Sequence, residues 1–185
     1  MSSLLQNWMS WEGGVDLVAK TAAGLEMPNV IVHVARMVHT PVGSAPSGML
    51  FWQPDPAAAP LVFGFVSSDP VVGAYFAKNI FAGTPFENAP AILGSIVIST
   101  SATEATARVE IPGFVFESCL TAIGETTMID RAPAAMSPFR QQGLEAAAAS
   151  AALKVNGVPV EVVIPPVGMT GGPCAVLAAC GIYAR

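Results

Sequence analysis

The stretch EATARVEIP sets polar Thr106, Arg108 and Glu110 against apolar Ala107, Val109 and Ile111 at alternate positions. That is the period of an extended strand with one face to water and one to a core. AILGSIVISTS before it and GFVFESCLTAI after it follow with short connections, so the middle of the chain reads as antiparallel sheet. Upstream, VIVHVARMV is β-branched and continuous, and GMLFWQP and PLVFGFVSS are two further apolar runs joined by QPDPAAAP. These three read as strands as well, with TPVGSAPSG a loop between the first two.

Helical signals flank this material. In SSLLQNWMSWEGG, residues Leu4, Leu5, Trp8 and Trp11 fall on one helical stripe, with Ser3 placed as N-cap and Gly13 as terminator. VDLVAKTAAGL continues the spacing through Val15, Val18, Ala22 and Leu25, so residues 1–25 are expected to form a helical segment docked on the body of the domain. Asp69 followed by Pro70 is an N-cap and first-turn pair for a helix running to Gly83. MSPFRQQGLEAAAASAAL repeats that arrangement with Ser137 and Pro138, then enters alanines of high helix propensity. Asn156-Gly157 lies between two apolar runs, so either the helix stops near Ala152 and a hairpin follows, the reading that Val155, Val158, Val160 and Val163 favour, or the pair caps the helix itself. The last run, CAVLAACGIYA, fits a strand or a helix. Strands clustered in runs predict an α+β fold: a mostly antiparallel sheet of about seven to eight strands packed with three to four helices, as a single domain over 1–185.

Of the 185 residues 52% are hydrophobic and only 11% charged, against roughly 25% charged in an average soluble protein. Too little charge is available to cover one subunit, which predicts homo-oligomer formation. The net charge is −5 and the eight basic residues are scattered singly. Without clustered Lys or Arg there is no nucleic-acid footprint and no attraction to an anionic membrane surface. No apolar run approaches the roughly 18 to 20 residues of a membrane span. An N-terminus lacking a basic leader and three cysteines, an odd number, predict a cytoplasmic protein in a reducing compartment.

Four residues are candidates for chemistry. Cys174, delivered by GGPC, would be an activated thiol if a helix began at Pro173, and an ordinary small buried residue if the run is a strand. Glu117 and Cys119 share one face of GFVFESCLTAI, where a covered carboxyl would have a raised pKa and a solvated one would pair with an arginine. His33 sits in VIVHVARMV, too far from His39, about 20 Å along a strand, for one metal to bind both. No zinc spacing supplies further ligands, and GMTGGPC matches no phosphate loop, so neither metal nor cofactor is expected. The aromatics of LFWQP, VFGFV, AYFAKNIF and GFVFE could instead wall an apolar pocket. Function is therefore read as a self-associating small-molecule (apolar ligand) binding or structural module. The alternative is a small enzyme using Cys174, Cys119 or Glu117 with His33.

Overall fold

The computed structural model describes residues 7–134, 137–168 and 171–184. Twelve strands among them join in one sheet: β1 Trp8–Ala19, β2 Val30–Thr40, β3 Gly43–Trp52, β4 Val62–Ser67, β5 Ala91–Leu93, β6 Ser95–Thr100, β7 Glu104–Ile111, β8 Phe114–Ile123, β9 Thr127–Arg131, β10 Arg140–Val155, β11 Val158–Val160 and β12 Ala175–Ala184. Across the sheet the order is β5-β4-β3-β2-β1-β12-β10-β8-β7-β6, with β9 and β11 also pairing β10. All pairs are antiparallel except β4 with β5.

The two ends of that path, β5 and β6, are consecutive in the chain and separated by Gly94 alone. The sheet therefore curls into a nearly closed barrel. Gly94 donates its N–H to the Ser67 carbonyl (3.0 Å), tying the closure to β4. A Cβ at Gly94 would lie 2.7 Å from the Glu110 carbonyl oxygen and 2.7 Å from Ile111, so only glycine lets the chain pass this close to β7. Inside the curl, Val15, Leu17, Val32, Leu50 and Val66 meet Val109, Phe116 and Leu120. On the opposite face of the same strands, Met9, Trp11, Ile31, Met49, Phe65, Val176 and Ala178 meet Val72, Tyr75, Phe76 and Ile80.

That second core is covered by the one α-helix among the described residues, α1 Pro70–Tyr75, and the π-helical turn Phe76–Ile80 that continues it. Asp69 caps α1 as its sequence implies, its Oδ1 accepting from the Val71 and Val72 amides at 2.8 and 3.0 Å. No helix among the described residues is long and apolar enough to cross a membrane.

The expected α+β architecture with three to four helices is thus overturned, since the chain is nearly all sheet. The segment expected to be helical over 1–25 is β1 from Trp8 onward, and Leu4 and Leu5 lie outside the described residues. Strand β1 is central and buried on both faces, so apolar residues occupy both parities and imitate a helical stripe. The alanine-rich segment expected to be a helix is the 16-residue β10. Its first half is paired by β12 and β9 and its second half by β8 and β11. A helix propensity advantage of at most about 0.7 kcal/mol per residue is outweighed when every part of the segment is laddered to strands distant in sequence. The Asn156-Gly157 hairpin forms as expected, with Val155 opposite Val158 and both turn residues at positive φ. The segment read as loop after Thr40 is largely β3, because Thr40 Oγ1 closes a tight turn onto the Gly43 carbonyl (2.9 Å).

Two register shifts cross the sheet in line. One lies between Ala35 and Val38 on β2, the other between Leu144 and Glu145 on β10. Gly14 of β1 pairs Ala35 on one side and Ala178 of β12 on the other, and Ala178 pairs Glu145. The irregularities form one crease over β2, β1, β12 and β10, the local extra bend that β-bulges supply.

The closure yields a test. Gly94→Ala should lower stability by about 1–3 kcal/mol in urea unfolding, the cost of forcing a methyl into a packed contact. Gly24→Ala, where a Cβ meets nothing within 4 Å, should leave the midpoint unchanged. Equal behaviour of the two variants would refute the role given to Gly94.

Candidate functional site

Along the crease, on the face opposite the barrel interior, polar side chains from β1, β2, β9, β10 and β12 gather at a cavity of about 150 Å³. Its walls include Met9, Trp11, Ile31, Met49, Phe65 and Val176 from the sheet, and Phe76, Phe81 and Phe86 from the helical cover and the loop after it. Phe65 stacks on Phe81 with ring centroids 4.9 Å apart, and Phe86 meets Phe81 edge-on at 6.0 Å.

The opposite side is charged. Arg131 ends β9 and Glu145 follows the β10 register shift, and the guanidinium grips the carboxylate with both arms, Nη1 to Oε1 at 2.8 Å and Nη2 to Oε2 at 2.7 Å. Gln141 bridges them, donating to Glu145 Oε1 (3.1 Å) and accepting from Arg131 Nη1 (3.2 Å) and the Tyr183 hydroxyl (3.3 Å). Glu145 is buried, so the bidentate partner offsets its desolvation. The bond to Glu145 also lifts Arg131 above its ordinary value. A Cβ on Gly172 would collide with the Arg131 guanidinium, so Gly172 makes the room that seats this arginine.

Asp16 of β1 stands opposite His33 of β2 in the antiparallel register, with Nδ1 to Oδ1 3.3 Å apart. Its side chain keeps only 16% exposure, and burial raises its pKa from 3.8 to about 6, opposed by His33, reinforced by Glu145 and opposed again by Arg131. A carboxyl held in this range exchanges its proton near neutrality. Burial likewise pushes Tyr183 up to about 12, keeping the phenol neutral. Trp11 tilts against Tyr183 with centroids 5.5 Å apart, and its buried indole N–H finds no acceptor among the described residues.

Of the four residues singled out from the sequence, His33 and Cys174 both line this cavity. Cys174 is buried, its carbonyl accepts from the Val18 amide at 2.7 Å, and burial raises its thiol pKa while Lys20 lowers it. The other two lie elsewhere, on β8 at a shallow depression beside Thr106 and Ala152. There Glu117 accepts from Arg108 Nη1 at 3.0 Å, and burial raises the Cys119 thiol, helped by Glu104. Cys119 and Glu117 are therefore not brought to His33. Among the described residues no group of three or more His, Cys, Asp or Glu side chains is placed to hold a metal.

Sequence reasoning missed Asp16, Arg131, Gln141, Glu145 and Tyr183. Asp16 carried a usable signal, a single charge inside the apolar run VDLVA that becomes a buried carboxylate once that run is a strand. Arg131 and Glu145 carried none, because they are 14 residues apart and the second stood in what read as an exposed helix.

No family model and no curated protein matches the chain. Among solved structures, an acetoacetate decarboxylase from Legionella pneumophila aligns over 98% of this chain and 84% of its own, at 7% identity and a TM-score of 0.38. A likeness that slight carries no argument about this chain.

Two measurements check the electrostatics. Glu145→Ala leaves a mostly buried guanidinium without its counterion and should cost about 2–4 kcal/mol in chemical unfolding, whereas Asp130→Ala, which breaks the exposed pair with Arg140, should cost far less. Similar losses would show that Arg131–Glu145 is an ordinary surface pair. Asp16 binds its proton more tightly in the folded state, about 6 against 3.8, so the stability of the native protein falls as pH rises through that window. Asp16→Asn should match wild type at pH near 4 and exceed it by on the order of 1–3 kcal/mol at pH 7. A difference independent of pH would remove the raised pKa.

Proposed function

We propose that the cavity between the crease and the aromatic cover is the binding site of a small organic molecule with an apolar body and one polar end. The observation that carries this reading is the pairing of an aromatic wall with a buried, cross-strand polar cluster at a single cavity. A fold needs an apolar core on this face. It does not need Asp16, Arg131, Glu145 and Gln141 beside that core, where each costs desolvation.

The volume bounds the ligand. About 150 Å³ is the size of cavity that accepts a benzene-like ring, so the occupant is a single ring or a short chain. Aromatic walls with a few convergent polar groups are what such sites consist of. An acid–base role is the second reading, favoured by the Asp16 carboxyl at about 6. In that reading Asp16, with His33 opposite it, moves the proton and Cys174 stays a neutral wall residue.

Benzyl alcohol is a suitable probe, since it fits the volume and has one polar end. It should raise the melting temperature in proportion to the logarithm of its concentration and shift the Trp11 indole N–H resonance with millimolar affinity or better. Val176→Phe, which fills the cavity from its floor, should abolish both effects. If the melting temperature and the indole resonance stay unmoved in the wild-type protein, the binding reading is wrong.

A further inference from the structure

Resting on the binding site just proposed, the distribution of charge around the cavity points to the class of molecule it takes. We infer that the ligand is a small organic ammonium, an aryl or short alkyl amine bound in its protonated form.

Among the described residues Arg131 is the one Arg or Lys that lines the cavity, and its guanidinium is engaged by Glu145 through two bonds and by the Gln141 carbonyl through a third. The rest of the guanidinium lies against the backbone at Gly172. An anionic ligand reaching this side would have to displace Glu145 from its arginine and sit beside Asp16, two unfavourable steps.

Asp16 is the group left over. It faces Glu145 and Arg131 across the crease and His33 from β2, and it interacts with the Tyr183 hydroxyl from β12. Its close titratable neighbour among the described residues is His33, at 3.3 Å, whose side chain is 45% exposed and so is partly solvated. With Asp16 ionised and His33 neutral, the two carboxylates exceed the one guanidinium by a single negative charge. A monocation in the cavity balances the set.

The walls point the same way. Phe65, Phe76, Phe81, Phe86, Trp11 and Tyr183 all line the space, and aromatic faces attract an ammonium through their quadrupoles when water is excluded. An amine would also favour ionised Asp16, so binding and deprotonation of that carboxyl are linked.

Benzylamine, benzyl alcohol and benzoate share one ring and differ in the charge of the polar end. Calorimetric titration at pH 7 should rank benzylamine about tenfold or more above benzyl alcohol, with benzoate weakest. Benzylamine affinity should rise between pH 5 and 7, and its binding near pH 6 should release protons, read from the dependence of the heat on the buffer's ionisation enthalpy. Asp16→Asn should bring the benzylamine to benzyl alcohol ratio close to one. Benzyl alcohol binding as well as benzylamine, benzoate binding best, or an unchanged ratio in Asp16→Asn would overturn the inference while leaving the cavity a binding site. If none of the three binds, both this inference and the proposed function fall.

Discussion

The structure depends on one sheet being made to meet itself. Ten strands in a single path leave two edges, and an open sheet of this width exposes one face or the other along with unpaired backbone. Here Gly94 alone separates the two edge strands, β5 and β6, so the curl is imposed by the covalent chain. Closure then gives each of β1, β2 and β12 two buried faces: one inside the curl, the other beneath α1 and the π-helical turn. Both cores follow from that geometry.

The crease is the second consequence of curling. A strongly bent sheet needs residues that break register, and the shifts at Ala35/Val38 and Leu144/Glu145 share one line through Gly14 and Ala178. The bend sets Asp16, Glu145 and Arg131 from three strands around one cavity, close enough that each perturbs the proton affinity of Asp16. Charge is scarce in this chain, 21 Lys, Arg, Asp and Glu residues in 185. Three of these, Asp16, Arg131 and Glu145, stand at this cavity, which is what separates this face from an ordinary core.

The terminal segment GMTGGPC illustrates how a local feature takes its meaning from outside itself. Its glycines and proline read as a turn delivering a cysteine, either activated or buried. In the fold the run after Pro173 is strand β12, and Cys174 continues the β1 ladder through its carbonyl. Gly172 does something no local reading could find: it makes room for a guanidinium from β9.

From the sequence alone followed the strands β2, β4, β6, β7 and β8, the Asp69 cap and the Asn156-Gly157 hairpin, because alternation, capping and turn chemistry are properties of neighbouring residues. So did the prospect of an apolar, aromatic-walled pocket. Only tertiary structure decided that Trp8–Ala19 and Arg140–Val155 are strands. Short-range pattern and alanine propensity favour helix there, and what reverses them is hydrogen bonding to strands far along the chain, joined in Trp8–Ala19 by burial on both faces. The site belongs to the same class: Asp16, His33, Arg131 and Glu145 are distant in sequence, and they form one cluster because a sheet bent through a crease brings four strands to a single point.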